Sequence, residues 1–131
     1  MIVGMGIDLV DIARIRSTLE RHGARARARL FTAGELAYAD RRQDPARHLA
    51  ARFAAKEAAY KALAGSPSAR GIGWLDIEVV SDTDGRPGLR LHGLAAKRAR
   101  ELDVVAAWLT ITHADGMAAA TVVLEAAGRD A

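Results

Sequence analysis

Two carboxylates and one lysine carry the best chemistry in this chain. Glu57 and Lys61 stand four residues apart in Phe53-Ala54-Ala55-Lys56-Glu57-Ala58-Ala59-Tyr60-Lys61-Ala62-Leu63, a run of strong helix formers without Gly, Pro or turn residues. At about 3.6 residues per turn, Phe53, Glu57 and Lys61 stack on one helix face, with Arg52 and Lys56 in a row beside them. Taken alone, Glu57 and Lys61 make a surface i,i+4 ion pair worth about 0.2–0.5 kcal/mol. Taken with their neighbours, they are a carboxylate flanked by phosphate-neutralising cations. The second acid is Asp8. Residues 2–10 read as a buried strand, with Val3, Met5, Ile7 and Leu9 on one face and Gly4, Gly6 and Asp8 on the other. A carboxylate there is costly unless it is paired or binds a cation, and the glycines leave room for something to approach. The alternative is a strand-end aspartate that caps a nearby helix. Two carboxylates without Cys or clustered His suit Mg²⁺ or Mn²⁺ rather than zinc. His113, just before a hairpin turn, is a further candidate, its plainer reading a surface histidine. No nucleophile–base–orienter triplet is evident.

Charge is the next signal. The net charge is +3, but between Arg14 and Arg52 lie ten arginines against Glu20, Glu35, Asp40 and Asp44. Such a one-sided field raises encounter rates with an acidic partner. Arg outnumbers Lys 16 to 3, which fits phosphate or carboxylate recognition and equally fits a compositional bias that also inflates alanine.

These residues need positioning elements. Asp11 reads as the N-cap of a helix over 12–21, ended by His22-Gly23, with Ile12, Ile15 and Leu19 as its apolar stripe. Arg14, Arg21 and Arg25 fall on a neighbouring face, and 25–30 reads as a loosely packed Arg/Ala stretch. Thr32 with Glu35 has capping-box spacing for a short helix. Asp44-Pro45 opens a long helix over 45–63. Residues 64–73 form a Gly/Pro/Ser loop without a phosphate-loop pattern. Strands follow at 74–80 and 88–91 around Asp84-Gly85, a basic helix at 93–102, and a hairpin of 104–113 with 117–125 about Asp115-Gly116. Residues 128–131 read as a frayed end.

At 131 residues the chain suits one domain, 1–131, of the α+β class: an antiparallel-rich sheet with a long helix packed across it. With no cysteine, no apolar run of spanning length and no leader pattern at residues 1–11, a cytoplasmic protein is expected. Neither zinc nor helix–turn–helix motifs occur, and aromatic residues are few, so neither nucleic acid nor a membrane is the expected partner.

Two segments resemble the signature motifs of the phosphopantetheinyl transferases, and in particular the small bacterial holo-[acyl-carrier-protein] synthases. They are Gly6-Ile7-Asp8-Leu9-Val10-Asp11-Ile12 with Arg14-Ile15, and Phe53-Ala54-Ala55-Lys56-Glu57-Ala58 with Lys61-Ala62. Phe31-Thr32 through Glu35-Leu36, Gly71-Ile72-Gly73-Trp74 with Asp76-Ile77-Glu78-Val79, and Thr112-His113 extend the likeness in order along nearly the whole chain. The resemblance implies a 4'-phosphopantetheinyl transferase-like fold. It implies Mg²⁺-dependent transfer of the phosphopantetheine arm of coenzyme A to a serine of apo acyl carrier protein, releasing adenosine 3',5'-bisphosphate and serving fatty-acid or polyketide synthesis. Asp8 and Glu57 would be metal ligands and Lys61 the lysine at the transferred phosphate. Arg52 and His113 would touch coenzyme A, and Arg14, Arg21 and Arg25 would dock the acidic carrier. Small members of the family are homotrimers with sites between protomers, an expectation to which Ala118, Ala119 and Ala120 add small residues that let strands approach.

The residues agree with that reaction. Attack of a hydroxyl on a pyrophosphate phosphorus needs charge neutralisation and in-line positioning more than covalent help. The base stays open between Glu57, Lys61 with a lowered pKa, and a water held by the metal. Val10 stands where the larger family branch has a second acid, so water takes that place on the metal. Gly65-Ser66-Pro67-Ser68-Ala69-Arg70 departs from the family's glycine-rich loop. A rival reading, a non-enzymatic module whose arginine helix binds nucleic acid or an acidic protein, explains the charge and leaves Asp8 and Glu57 idle.

Overall fold

Antiparallel pairing follows directly from the short Asp115-Gly116 turn, where both residues take positive φ. It joins β4 (Val104–Ala114) to β5 (Met117–Ala126), and β5 pairs on its other side with β1 (Ile2–Asp11), giving the order β1-β5-β4. The computed structural model describes residues 1–128, so most of the stretch expected to fray, 129–131, lies outside the described residues. A separate two-stranded sheet pairs β2 (Ile77–Ser81) with β3 (Pro87–Leu91). The helices are α1 (Ile12–Leu30), α2 (Ala33–Asp40), α3 (Pro45–Leu63) and α4 (Gly93–Glu101).

Helix α3 is the centre of the molecule. Its alanines 54, 55, 58, 59 and 62 and Leu63 are buried in the main core with Val122 and Leu124 of β5 and Ile77 and Val79 of β2. One side of α3 lies on β1 and β5. A Cβ at Gly6 or Gly4 would overlap the carbonyl oxygens of Ala58 and Ala62, so strand and helix meet backbone to backbone. The opposite side of α3 meets α2 and β2. The result is a helix between two layers, with Phe53, Glu57 and Lys61 along one edge.

Several local expectations change. Strand β1 is not covered on both faces: Met5, Ile7 and Leu9 are 63%, 65% and 63% exposed. They continue in register through Val123, Thr121 and Ala119 to Trp108, Thr110 and Thr112. A bulge between Ile2 and Gly4 interrupts the alternation, and Val3 packs against the core instead. Ala118 and Ala120 lie under α3 rather than on the open face. Gly23 (φ 54°, ψ −138°) kinks α1 instead of ending it, and helix resumes to Leu30. The row of Arg14 and Arg21 therefore does not run on in register to Arg25. Trp74–Asp76 is a 3-10 turn and the strand starts only at Ile77, because the Asp76 carboxylate accepts from Gly73 N (2.9 Å) and curls the chain. Asp44 gives α3 no side-chain cap; both its oxygens take the Arg16 guanidinium, at 2.8 and 2.9 Å.

Candidate active site

The site grows from the junction of β1 with the middle of α3. Asp8 shares the glycine face of β1 and points at the helix edge. Lys61 crosses from α3, donating to Asp8 Oδ1 and to the Ile7 carbonyl, both at 2.9 Å. Asp8 keeps 16% of its side-chain surface exposed and Lys61 50%, so the pair opens to solvent. Asp8 caps no helix; Asp11 does that for α1, accepting from Ala13 N and Arg14 N. Glu57 sits one turn before Lys61. Partial burial, and then the Asp8 charge, push its carboxyl above the ordinary glutamate range, while Lys61 pulls it back. A carboxylate whose proton affinity is raised by burial and by a second carboxylate is the arrangement that a hard divalent cation relieves. Among the described residues no group of three or more His, Asp or Glu side chains is clustered. The donor set therefore fits a cation that takes one or two carboxylates and fills its other positions from substrate and water, as Mg²⁺ does.

A groove of about 510 Å³ starts at these carboxylates and runs along α1. Asp8, Glu57 and Arg14 stand at its charged end; Ile15, Leu19, Leu30, Phe53 and Trp74 make its apolar wall. Phe53 stacks on Trp74 with centroids 5.0 Å apart. Trp74 also lines a smaller cavity of about 240 Å³ on the other side, with Glu57, Tyr60 and Ile72. Glu57 thus faces two openings, one on each side of the aromatic stack.

The family model of the 4'-phosphopantetheinyl transferase superfamily matches residues 4–122. The chain belongs to this superfamily. It is 52% identical over 131 residues to the holo-[acyl-carrier-protein] synthase of Anaeromyxobacter sp. (strain K), covering 98% of this chain and 99% of that one. Its fold is similar to the crystal structure of the Neisseria meningitidis synthase, with TM-score 0.83 and 28% identity over 95% of this chain and 99% of that one. It is also similar to the Helicobacter pylori synthase in complex with coenzyme A, with TM-score 0.78 and 27% identity over 92% and 99%. The chain is a transferase of the α+β, 4'-phosphopantetheinyl transferase fold.

Of the residues singled out from the sequence, Asp8, Glu57 and Lys61 come together and Arg14 joins them at the groove. Arg52 does not reach this edge. It is 5% exposed, its guanidinium carbon lies 3.7 Å over the Tyr38 ring, and its Nε has no hydrogen-bond partner among the described residues. Burial lowers its pKa from the usual value. Arg42 stands 4.1 Å over the same ring, and His48 packs edge-on to it. His113 is exposed opposite Ala118 near the hairpin tip. Arg21 and Arg25 are exposed, and neither they nor Arg14 has an ion-pair partner among the described residues. Three of the four acids in the arginine-rich stretch are engaged: Asp44 by Arg16, Asp40 by Arg27, Glu35 by Lys56.

Lys56 is the main departure. The helix spacing puts it among cations near a phosphate, but it is 0% exposed and bonded at 2.6 Å to Glu35, itself 0% exposed. The signal was in the sequence: Leu49, Lys56 and Leu63 recur at sevens, so a cation sits mid-way along an apolar stripe. Trp74 also went unassigned, because only its stacking on Phe53 brings it to the site.

Proposed function

We propose that the edge formed by Asp8, Glu57 and Lys61 is where this transferase moves the 4'-phosphopantetheine arm of coenzyme A to a serine of apo acyl carrier protein. The observation that carries it is a half-buried carboxylate with raised proton affinity beside a second carboxylate and a half-exposed lysine, at the mouth of a groove whose charged end also holds Arg14. Asp8 and Glu57 hold a divalent cation, Mg²⁺ or Mn²⁺. When bound, that cation neutralises pyrophosphate charge and polarises the phosphorus. Lys61, oriented by Asp8 and the Ile7 carbonyl, directs its remaining N–H bond at a phosphate oxygen as negative charge builds. The serine hydroxyl attacks phosphorus, the bond to the bridging oxygen breaks, and adenosine 3',5'-bisphosphate leaves. Glu57, whose proton affinity is raised, takes the hydroxyl proton. Arg14 at the groove and the exposed Arg21 and Arg25 meet the acidic carrier, while the exposed His113 serves the coenzyme A nucleotide; Arg52, buried over Tyr38, is not placed to join it.

The open face of β1-β5-β4, with Met5, Ile7, Leu9 and Trp108 exposed, supports a homotrimer with sites between protomers. Residues 1–131 act as one domain in the cytoplasm, with neither nucleic acid nor membrane as partner, in fatty-acid or polyketide synthesis. No helix among the described residues is long and apolar enough to cross a membrane. Incubation with coenzyme A, Mg²⁺ and an apo carrier tests the reaction: the carrier gains the mass of the arm, and no gain overturns it. Light scattering at micromolar concentration tests assembly: a trimer mass is expected, and a monomer contradicts it.

A further inference from the structure

The buried Glu35–Lys56 pair spans three elements. Glu35 Oε1 takes Lys56 Nζ at 2.6 Å and Thr32 N at 2.8 Å, and its Oε2 takes Val79 N at 2.9 Å. It therefore ties the start of α2 and strand β2 to α3, with the ion pair and the bond to Val79 out of water. Burial pulls the Lys56 ammonium below its ordinary pKa and Glu35 opposes that shift. As a source of stability such a pair is poor: well-packed apolar residues of the same volume do as well or better. What an apolar pair lacks is direction. Lys56 immediately precedes Glu57 on α3. On the sheet side, the absent side chains of Gly4 and Gly6 set the distance between α3 and β1, and with it the approach of Asp8. On the far side the ion pair is the directional contact, and it also reaches the strand that follows Trp74–Asp76.

We propose that Glu35 and Lys56 are positioning residues for the transfer: they set the rotation of α3 and the seat of Trp74, so that Glu57 faces Asp8 at the mouth of both openings. Neither touches substrate. The proposal rests on the assignment of Asp8 and Glu57 given above. Small displacements of reacting groups, on the order of 1 Å, cost about 10²-fold in rate.

The test is the neutral double variant Glu35→Gln/Lys56→Met, which leaves no unpaired buried charge, assayed with coenzyme A and apo carrier beside Glu57→Ala. The expected result is a cooperative melt and wild-type circular dichroism, kcat lower by about tenfold or more, and KM for both substrates within about twofold of wild type. Lys56→Arg keeps the charge but lengthens the link, and is expected to show the same kcat loss at unchanged KM if the double variant does not fold. A folded double variant, or a folded Lys56→Arg, with wild-type kcat overturns the proposal. If Glu57→Ala is inactive in that same experiment, only the positioning role falls; if Glu57→Ala also turns over normally, the site assignment falls with it.

Discussion

Helix α3 carries two lysine–carboxylate pairs five residues apart, and they have opposite surroundings. Lys56–Glu35 is 0% exposed on both sides and knits three elements together. Lys61–Asp8 is half open and lies beside a second carboxylate whose protonation Asp8 favours and Lys61 opposes. The residue types match; the location on the helix differs. Lys56 faces the α2–β2 layer, where any unsatisfied donor or charge is heavily penalised. Lys61 lies on the edge between layers, where a substrate phosphate can exchange for Asp8 as its partner. A charged side chain on an alanine-rich helix therefore carries no fixed meaning until the face it occupies is known.

The sharpest way to break the comparison is to remove the open site's acids. Asp8→Ala and Glu57→Ala are each expected to lower transfer by about 10³-fold while circular dichroism stays native. Near-wild-type turnover at saturating Mg²⁺ contradicts the cation assignment.

The two lysines are then separated by the same substitution. Lys56→Met strands the buried Glu35 charge and is expected to cost about 3–5 kcal/mol of stability in a denaturant melt. Lys61→Met is expected to change stability by less than about 1 kcal/mol, yet to reduce turnover at unchanged fold. Its pH profile sharpens the point. The Glu57 carboxyl is raised, so activity that needs the carboxylate is fully present above its folded pKa and is lost as pH falls through a value above the ordinary 4.5. Lys61 is the group that holds this carboxyl down, so in Lys61→Met the acid limb of kcat moves to higher pH. A limb that stays in place separates Glu57 from the titration.

The smallest effect is expected at the exposed arginines of α1. Arg14→Glu and Arg21→Glu should each raise KM for the carrier protein by about tenfold and leave that for coenzyme A nearly unchanged. Added salt should raise the carrier KM faster than the coenzyme A KM, since exposed charges are screened over about 10 Å at 0.1 M. Weakened coenzyme A binding with an unaffected carrier would place α1 in the nucleotide site instead.

Much of this was legible from residue order because the signals were local. The Asp11 cap, the Thr32–Glu35 capping box and the Asp115-Gly116 hairpin formed as read. The long helix from Pro45 to Leu63 appeared over the expected range. Asp8, Glu57 and Lys61 converged because glycines on β1 admit α3 closely. What could not be read depended on distant partners. Asp44-Pro45 marks the start of α3 in the sequence, but nothing local shows that Arg16, 28 residues earlier, takes both oxygens of Asp44. Glu35 was half explained by its capping box, while its other oxygen waited for Val79. Strand β1 alternates correctly, but alternation does not say which face lacks a cover, and here it is the apolar one.

The backbone contact of Gly4 and Gly6 with α3 also bears on how this fold tolerates change. Most cores absorb substitutions by shuffling rotamers in the layer between elements. Between the strand that carries Asp8 and the helix that carries Glu57 there is no such layer, since a single methyl would meet a carbonyl oxygen. Variation elsewhere in the core, among Ile77, Val79, Val122 and Leu124, can be taken up by side chains before it moves either carboxylate. The freedom to mutate is thus distributed unevenly: wide across the outer packing, and nearly absent along the two glycines that separate the acids.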